Sequence, residues 1–135
     1  MKRERYLLDT CVLIWLLQGN NRIKSFIEYN KDFYPDWAVS VDSLKEILYK
    51  IATNKLNIIL TYKQIIKTLD EFNLQVCLFE KRDLDILSGL PFFDSHKDPN
   101  DRNIIATGIA RKRIVVTGDL DFQLYEKYGL QLLKV

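Results

Sequence analysis

Two aspartates follow short apolar runs that have the composition of buried strands. Asp9 comes directly after Tyr6-Leu7-Leu8, and Asp119 comes one glycine after the β-branched run 114–117. In an open parallel α/β sheet, the carboxyl ends of the strands lie along one edge, where the ligand crevice forms. The two carboxylates are therefore expected to lie close together in the folded chain.

Further acids lie at the starts of predicted helices. They are Glu46, in the segment SVDSLKEI, and Asp98 and Asp101, in the segment KDPNDRNIIA. Crowded carboxylates raise one another's pKa unless a cation joins them, and hard divalent cations prefer oxygen ligands. The pattern therefore indicates a Mg²⁺ or Mn²⁺ site suited to phosphate chemistry.

Helix capping is an alternative role for the acids that follow strands. Asp9 could cap a helix that begins near Val12, and Asp119 or Asp121 could cap the helix that follows the turn at Gly118. The recurrence of an acid after a second strand favours a shared site.

Capping also competes at the helix starts. Ser43 and Glu46 have the spacing of a capping box, in which the acid bonds back to the amide of the cap residue. Asp98 and Asp101 lie on either side of a proline, which is common turn-and-cap chemistry. Asp101 adjoins the helical run and is the better candidate to point into a crevice, while Asp98 could cap the helix or support the site.

The remaining polar candidates are weaker. The single histidine, His96, lies in a polar loop, so a zinc site built on several histidines is excluded and a role as a base has little support. Four other aspartates have no strand end before them and are expected to be surface or capping groups: Asp42, Asp83, Asp85 and Asp94.

Short apolar runs alternate with helical patterns along the chain, which is typical of βαβ units and a parallel sheet. One domain over residues 1–135 is expected, because neither a linker nor a repeat interrupts the pattern. Strands are predicted at 6–8, 37–39, 76–79, 114–117 and 130–135. Helices are predicted at 12–17, 43–51, 62–72, 84–87, 104–113 and 122–128, and a further helix is expected to begin at Asn20 or Asn21.

The composition limits the possible compartments and partners. A net charge of +2 argues against binding nucleic acid by bulk electrostatics alone. Cys11 and Cys77 lie in apolar runs and are expected to be reduced, which suits the cytoplasm. Because Asp9 interrupts the apolar start and no small-residue cleavage site follows, export is not expected, and no run has the length of a membrane span.

Basic residues are unevenly distributed. Lys2, Arg3 and Arg5 open the chain, lysines recur at 45, 50 and 55, and the run 111–113 is entirely basic. Such groups are mostly solvated surface, although together they could steer a polyanion toward the acids.

Several enzyme classes lack their characteristic residues. The sequence contains no GxGxxG, GxxxxGK[ST] or GxSxG motif, which argues against nucleotide-cofactor and serine-hydrolase chemistry. A phosphatase with Asp9 as its nucleophile would be expected to have a second aspartate two positions later, and that position is Cys11.

Four segments together resemble the PIN-domain ribonucleases, particularly the VapC-type toxins of prokaryotic toxin–antitoxin pairs. They are YLLDTCVLIWLL, SVDSLKEI, HKDPNDRNIIATGIA and VVTGDLDF, and they come in the order and spacing of that family. The resemblance implies a three-layer α/β/α sandwich on a mainly parallel sheet of about five strands. It also implies Mg²⁺- or Mn²⁺-dependent endoribonuclease activity, frequent homodimers and neutralisation by a cognate antitoxin.

The resemblance also implies roles for particular residues. The acidic quartet, as metal ligands, would be Asp9, Glu46, Asp101 and Asp119, with Asp98 and Asp121 as auxiliary acids and Thr10, Ser43 and Thr117 as supporting hydroxyls. The expected reaction is hydrolysis of RNA phosphodiesters, in single strands or loops, by a water that the metal activates. The alternative is a catalytically silent PIN-like domain that binds RNA or a protein partner.

Overall fold

The computed structural model describes residues 5–30 and 36–135, and strands and helices alternate through them. The strands are β1 (Arg5–Leu8), β2 (Asp36–Ser40), β3 (Leu74–Cys77), β4 (Ile114–Thr117) and β5 (Gln131–Lys134). The helices are α1 (Thr10–Leu17), α2 (Asn21–Asn30), α3 (Val41–Ala52), α4 (Tyr62–Glu71), α5 (Lys81–Gly89), α6 (Pro99–Arg111) and a 3₁₀ helix (Leu120–Tyr128).

The five strands form one sheet in the order β3-β2-β1-β4-β5, and every neighbouring pair is parallel. The central strand β1 pairs with β2 on one side and β4 on the other, so that Leu8 lies opposite both Val39 and Val116. The carboxyl ends of β1 and β4, which Asp9 and Asp119 follow, therefore lie side by side. This confirms the parallel sheet predicted from the sequence.

Alternate residues of the central strands pack against helices on opposite faces of the sheet, as the pleat requires. Leu8 and its neighbours pack with buried residues of α1, α2, α3 and α4. Leu7 and its neighbours pack with α6 and the 3₁₀ helix. The chain is thus a three-layer α/β/α sandwich, as the resemblance implies. No helix in the described residues is long and apolar enough to cross a membrane.

Helix α3 begins earlier than predicted, and the cap assigned to Ser43 is wrong. The cap is Ser40, whose Oγ accepts a hydrogen bond from the backbone N–H of Asp42 at 3.0 Å. Ser43 lies inside the helix and is fully buried. Glu46 therefore has no capping role and is available to the acidic edge of the sheet.

Strand β3 also differs from the prediction, because it covers Leu74–Cys77 rather than 76–79. Leu74 and Cys77 face the core, whereas Val76 and Leu78 are exposed. The apolar run therefore continues past the end of this edge strand.

The basic run 111–113 is mostly buried rather than solvated. Arg111 lies between helices and pairs with Asp83, with Nη2 2.7 Å from Oδ2. Asp83 is fully buried, so it is not a surface group, but it has the capping role considered for it, because its Oδ2 accepts from the backbone N–H of Glu80 at 2.8 Å. The pair joins α5 to α6, the helix that carries Asp101.

Arg113 and Arg5 both bind Asp36, at the amino end of the sheet. Arg113 Nη1 lies 2.9 Å from Asp36 Oδ1, and Arg5 Nε lies 3.0 Å from Oδ2. Partial burial acts to raise the pKa of Asp36, but the hydrogen bonds and charges of the two arginines hold it below its usual value. Lys2 and Arg3 lie outside the described residues.

We predict that Asp83→Ala destabilises the protein by about 3 kcal/mol, because it leaves the Arg111 guanidinium buried without its main partner. Asp85→Ala is the matched control: its carboxylate is exposed and pairs with Lys81 at 3.5 Å, so its loss should cost less than about 1 kcal/mol. Denaturant unfolding measures both. Equal losses in the two variants would contradict a structural role for the buried pair.

Candidate functional site: an acidic pocket at the carboxyl edge of the sheet

Asp9 follows β1 and caps α1, so both explanations considered for it from the sequence are compatible. Its Oδ1 accepts from the backbone N–H of Thr10 at 2.7 Å, and its Oδ2 accepts from the Thr117 hydroxyl at 2.8 Å and the Cys11 thiol at 3.2 Å. Burial raises the pKa of Asp9 above its ordinary value, while these hydrogen bonds act in the opposite direction. The carboxylate is therefore held in one orientation by three donors.

Thr117 connects the two strand ends. Its Oγ1 donates to Asp9 and accepts from the backbone N–H of Asp119 at 3.0 Å. Asp119 Oδ1 then caps the 3₁₀ helix by accepting from the N–H of Asp121 at 2.9 Å. One oxygen of Asp119 is thus used structurally, and Oδ2 remains for other contacts.

The turn between Thr117 and Asp119 leaves no room for a side chain. A Cβ added to Gly118 would lie 2.5 Å from Cη2 of the Trp15 ring, which covers the turn. Glycine at this position therefore allows α1 to pack closely against the segment that carries Asp119.

Glu46 is connected to the same region through helix α3. Ser43, one turn before Glu46, has its Oγ 2.7 Å from Thr10 Oγ1 in a buried contact between α1 and α3. The Glu46 carboxylate is half-buried and lies 3.6 Å from Lys50 Nζ. The three hydroxyls expected to support the site, Thr10, Ser43 and Thr117, therefore connect the elements that carry or follow Asp9, Glu46 and Asp119.

Asp98 and Asp101 have different surroundings. Asp98 is exposed, and its Oδ1 caps α6 by accepting from the N–H groups of Asn100 at 2.8 Å and Asp101 at 3.1 Å. Asp101 is in the first turn of α6 and is half-buried. Asp121 is exposed and lines a separate surface depression with Leu120 and Lys127.

The charges of neighbouring acids act on Asp101. Burial raises the pKa of Asp101 to about 8, and the negative charges of Asp9, Asp98, Asp119 and Glu46 contribute to the increase. Asp9, Glu46 and Asp119 thus lie near enough for their charges to act on Asp101, although they come from widely separated parts of the sequence. Carboxylates that act on one another in this way favour either a bound proton or a cation.

His96, which the sequence analysis set aside, lies in this pocket. Its Nε2 is 3.3 Å from Asp101 Oδ2 and 4.0 Å from Asp119 Oδ2. The three residues each offer a ligand atom within 4.8 Å of the others. The sequence signal was the position of His96 five residues before Asp101, but its loop gave no indication that the ring is buried.

The donor set fits a divalent cation. The carboxylates of Asp9, Glu46, Asp101 and Asp119 are hard oxygen ligands of the kind that Mg²⁺ and Mn²⁺ bind. Burial and the negative charges of its neighbours raise the pKa of Asp101, and a bound cation would favour its ionised form. Cys11 is a poor thiolate donor, because burial and the charge of Asp9 raise its pKa to about 12.

Fold and site together define an α/β/α protein with an acidic pocket at the carboxyl edge of its sheet. The PIN domain family model matches residues 6–128, and the chain belongs to that family. None of the curated proteins matches it.

Three solved structures share the fold. One is VapBC2 from Rickettsia felis, whose structure includes a DNA fragment from the VapBC2 promoter. Its matching chain has a TM-score of 0.68 at 19% sequence identity, and the match covers 96% of this chain and 97% of that one. DNA-bound VapBC from Salmonella typhimurium has a TM-score of 0.69 at 17% sequence identity, and the match covers 97% of this chain and 98% of that one. VapBC-5 from Mycobacterium tuberculosis is described as a member of the VapBC family of toxin–antitoxin systems. It has a TM-score of 0.63 at 18% sequence identity, and the match covers 97% of this chain and 98% of that one.

We predict that the metal-free protein loses stability between about pH 4 and pH 8. The folded pKa of Asp101 is about 8 against an ordinary 3.8, so in this range the folded carboxyl retains a proton that the unfolded chain has released. The free energy of unfolding therefore falls as pH rises. Asp101→Asn removes this titration, so its melting temperature relative to the parent should increase with pH. Thermal melts in chelator test this, and a difference independent of pH would contradict it.

Proposed function

We propose that this chain is a Mg²⁺- or Mn²⁺-dependent endoribonuclease, and the toxin of a toxin–antitoxin pair of VapC type. The observation that supports the proposal is the pocket in which Asp101 and Asp119 each offer a ligand atom, together with the action of the charges of Asp9, Glu46 and Asp119 on Asp101. Membership of the PIN domain family is consistent with a nuclease.

In this proposal the four principal carboxylates hold the cation, with Asp98 supporting Asp101 from the helix cap. A divalent cation bound there supplies Lewis acidity toward water and neutralises negative charge on the phosphodiester. Asp9 would contribute a pre-oriented oxygen, because its donors Thr10 and Thr117 fix the carboxylate before any ligand arrives. RNA and the carboxylates repel each other, so productive approach depends on the cation.

A cleft beside Glu46 supports RNA as the substrate. It has a volume of about 400 Å³, and its lining includes Lys45, Lys50, Lys55, Tyr49 and Asn100, the residue next to Asp101. The Tyr49 ring is 60% exposed, with Lys55 Nζ 5.5 Å from its centroid. An exposed aromatic ring among lysines suits an unpaired base and its phosphates, which favours a single strand or a loop.

A protein partner is part of the proposal, because the structural relatives are described as VapBC complexes, one of them as a toxin–antitoxin family member. The segment from α3 to α4 leaves large apolar side chains exposed, among them Ile59 at 96% and Tyr62 at 60%. We infer that an antitoxin, or a second copy of the chain in a homodimer, covers this surface in the cytoplasm.

We predict that Asp9→Asn abolishes RNA cleavage while the fold is retained. Asparagine keeps the size of the side chain and an acceptor for Thr10, but it removes the charge that a metal ligand supplies. The measurement is incubation of purified protein with mixed single-stranded RNA and Mn²⁺, with and without EDTA, followed by gel analysis of the fragments. EDTA should likewise stop cleavage by the parent protein.

Asp85→Asn is the matched control, because it neutralises an exposed aspartate of α5 and should cut at the parental rate. Cleavage at the parental rate by Asp9→Asn would show that the ligand assignment is wrong. RNA binding by the parent without metal-dependent fragments would instead favour the silent PIN-like domain.

We predict that Lys55→Gln weakens RNA binding in the cleft. Loss of one phosphate contact should weaken binding of all sequences and reduce the salt dependence, the slope of log affinity against log salt, by about 0.7 for a single strand. Lys112→Gln removes the same charge from an exposed position between α6 and β4, at the opposite edge of the sheet. Fluorescence anisotropy with labelled RNA, in an Asp9→Asn background that prevents cleavage, gives both slopes, and equal effects would argue against the cleft.

A further inference from the structure

The His96 ring is buried, yet one of its nitrogens has no hydrogen-bond partner among the residues that the structure describes. The residue is 4% exposed, and the unbonded nitrogen is Nε2. Buried polar atoms in native proteins are nearly always satisfied, and an unsatisfied one requires an explanation such as an ion. Here Nε2 faces Asp101 and Asp119, 3.3 and 4.0 Å from their Oδ2 atoms.

The core, rather than the acids, sets the direction of the ring. Nδ1 lies 2.9 Å from the Tyr125 hydroxyl, and the backbone N–H of His96 donates to the Phe93 carbonyl at 3.1 Å. The imidazole also makes edge contacts with Phe122 and Tyr125, with ring centroids 5.3 Å apart in both cases. These contacts prevent Nε2 from rotating toward solvent, so it stays aimed into the acidic pocket.

We infer that His96 Nε2 is a direct ligand of the divalent cation that Asp101 and Asp119 hold, so that the site is a mixed nitrogen and oxygen site. The inference rests on the proposed function for the presence of that cation. It assigns the Nδ1–H tautomer, in which Nδ1 donates to the Tyr125 hydroxyl oxygen and the lone pair of Nε2 is free. Ligating histidines are typically held in this way by a hydrogen bond at the other ring nitrogen.

The ligand set has a consequence for metal preference. Carboxylates alone suit Mg²⁺, whereas imidazole suits Zn²⁺ and other transition metals. A nitrogen ligand at this position therefore moves the preference of the site away from Mg²⁺ toward Mn²⁺, Co²⁺ and Zn²⁺.

A spectroscopic experiment tests the assignment without relying on activity. The chain contains one histidine, so tag-free protein labelled with ¹⁵N at histidine carries the label in His96 alone. Electron spin-echo modulation of bound Mn²⁺ should show a directly coordinated nitrogen, and the pattern should change from ¹⁴N to ¹⁵N on labelling. Asp101→Asn should abolish Mn²⁺ binding and thereby place the ion in this pocket.

Two results would overturn the inference. Mn²⁺ bound in the pocket without a nitrogen coupling that responds to the label would mean that Nε2 carries the proton and donates to Asp101 instead. Failure of the protein to bind Mn²⁺ at all would also exclude the ligand. Neither result depends on RNA, so the nuclease proposal is tested separately by the cleavage assay on the same preparation.

A variant adds a second measurement. His96→Gln should weaken Co²⁺ binding by about tenfold or more, because loss of a hydrogen-bond partner of a ligand already costs about tenfold in metal affinity. The affinity for Mg²⁺ should fall less, because Mg²⁺ prefers oxygen ligands. Calorimetric titration gives both affinities, and circular dichroism of the metal-free protein checks the fold. Equal loss of affinity for the two metals would contradict the nitrogen ligand. If this variant does not fold, the spin-echo experiment on the unsubstituted protein decides whether His96 is a ligand.

Discussion

Repulsion among carboxylates at one edge of a parallel sheet is the constraint on which the rest of this structure depends. Parallel strands end on the same side, so acids placed after β1 and β4 lie side by side, and Asp101 of α6 lies near enough for the charges of Asp9, Asp119 and Glu46 to act on it. Burial and these charges together raise the pKa of Asp101 to about 8. Fold stability favours dispersing such charge, so its concentration is best explained by a ligand that carries positive charge.

Hydroxyl groups connect the elements around the strand-end aspartates and Glu46. Thr117 contacts both strand-end aspartates, and the Thr10–Ser43 contact joins the helices beside them. Such bonds orient the carboxylates without neutralising them, which leaves their negative charge available to a cation. Three lysines, Lys45, Lys50 and Lys55, line the cleft beside Glu46, where they would meet an approaching polyanion.

Arginines neutralise other acids elsewhere in the part of the chain that the structure describes. Arg113 and Arg5 neutralise Asp36 at the amino end of the sheet, and Arg111 neutralises Asp83 between α5 and α6. At these positions charge is paired within the chain and contributes to packing. The contrast between paired acids there and crowded acids at the carboxyl edge distinguishes structural carboxylates from those available for a ligand.

The sequence by itself determined the number of strands, the parallel sheet and the edge at which Asp9 and Asp119 meet, because these follow from local apolar runs and the geometry of parallel strands, although it misplaced the bounds of β3. Only the tertiary structure decided which polar groups are buried and paired. Ser40 rather than Ser43 caps α3, since either serine satisfies the local pattern and β2 ends at Ser40. Asp83 and Arg111 are 28 residues apart, and Asp36 and Arg113 are 77 apart, so their pairing has no local signal. His96 was missed for the same reason: its burial comes from Phe122 and Tyr125, which reach it only through the packing of the 3₁₀ helix.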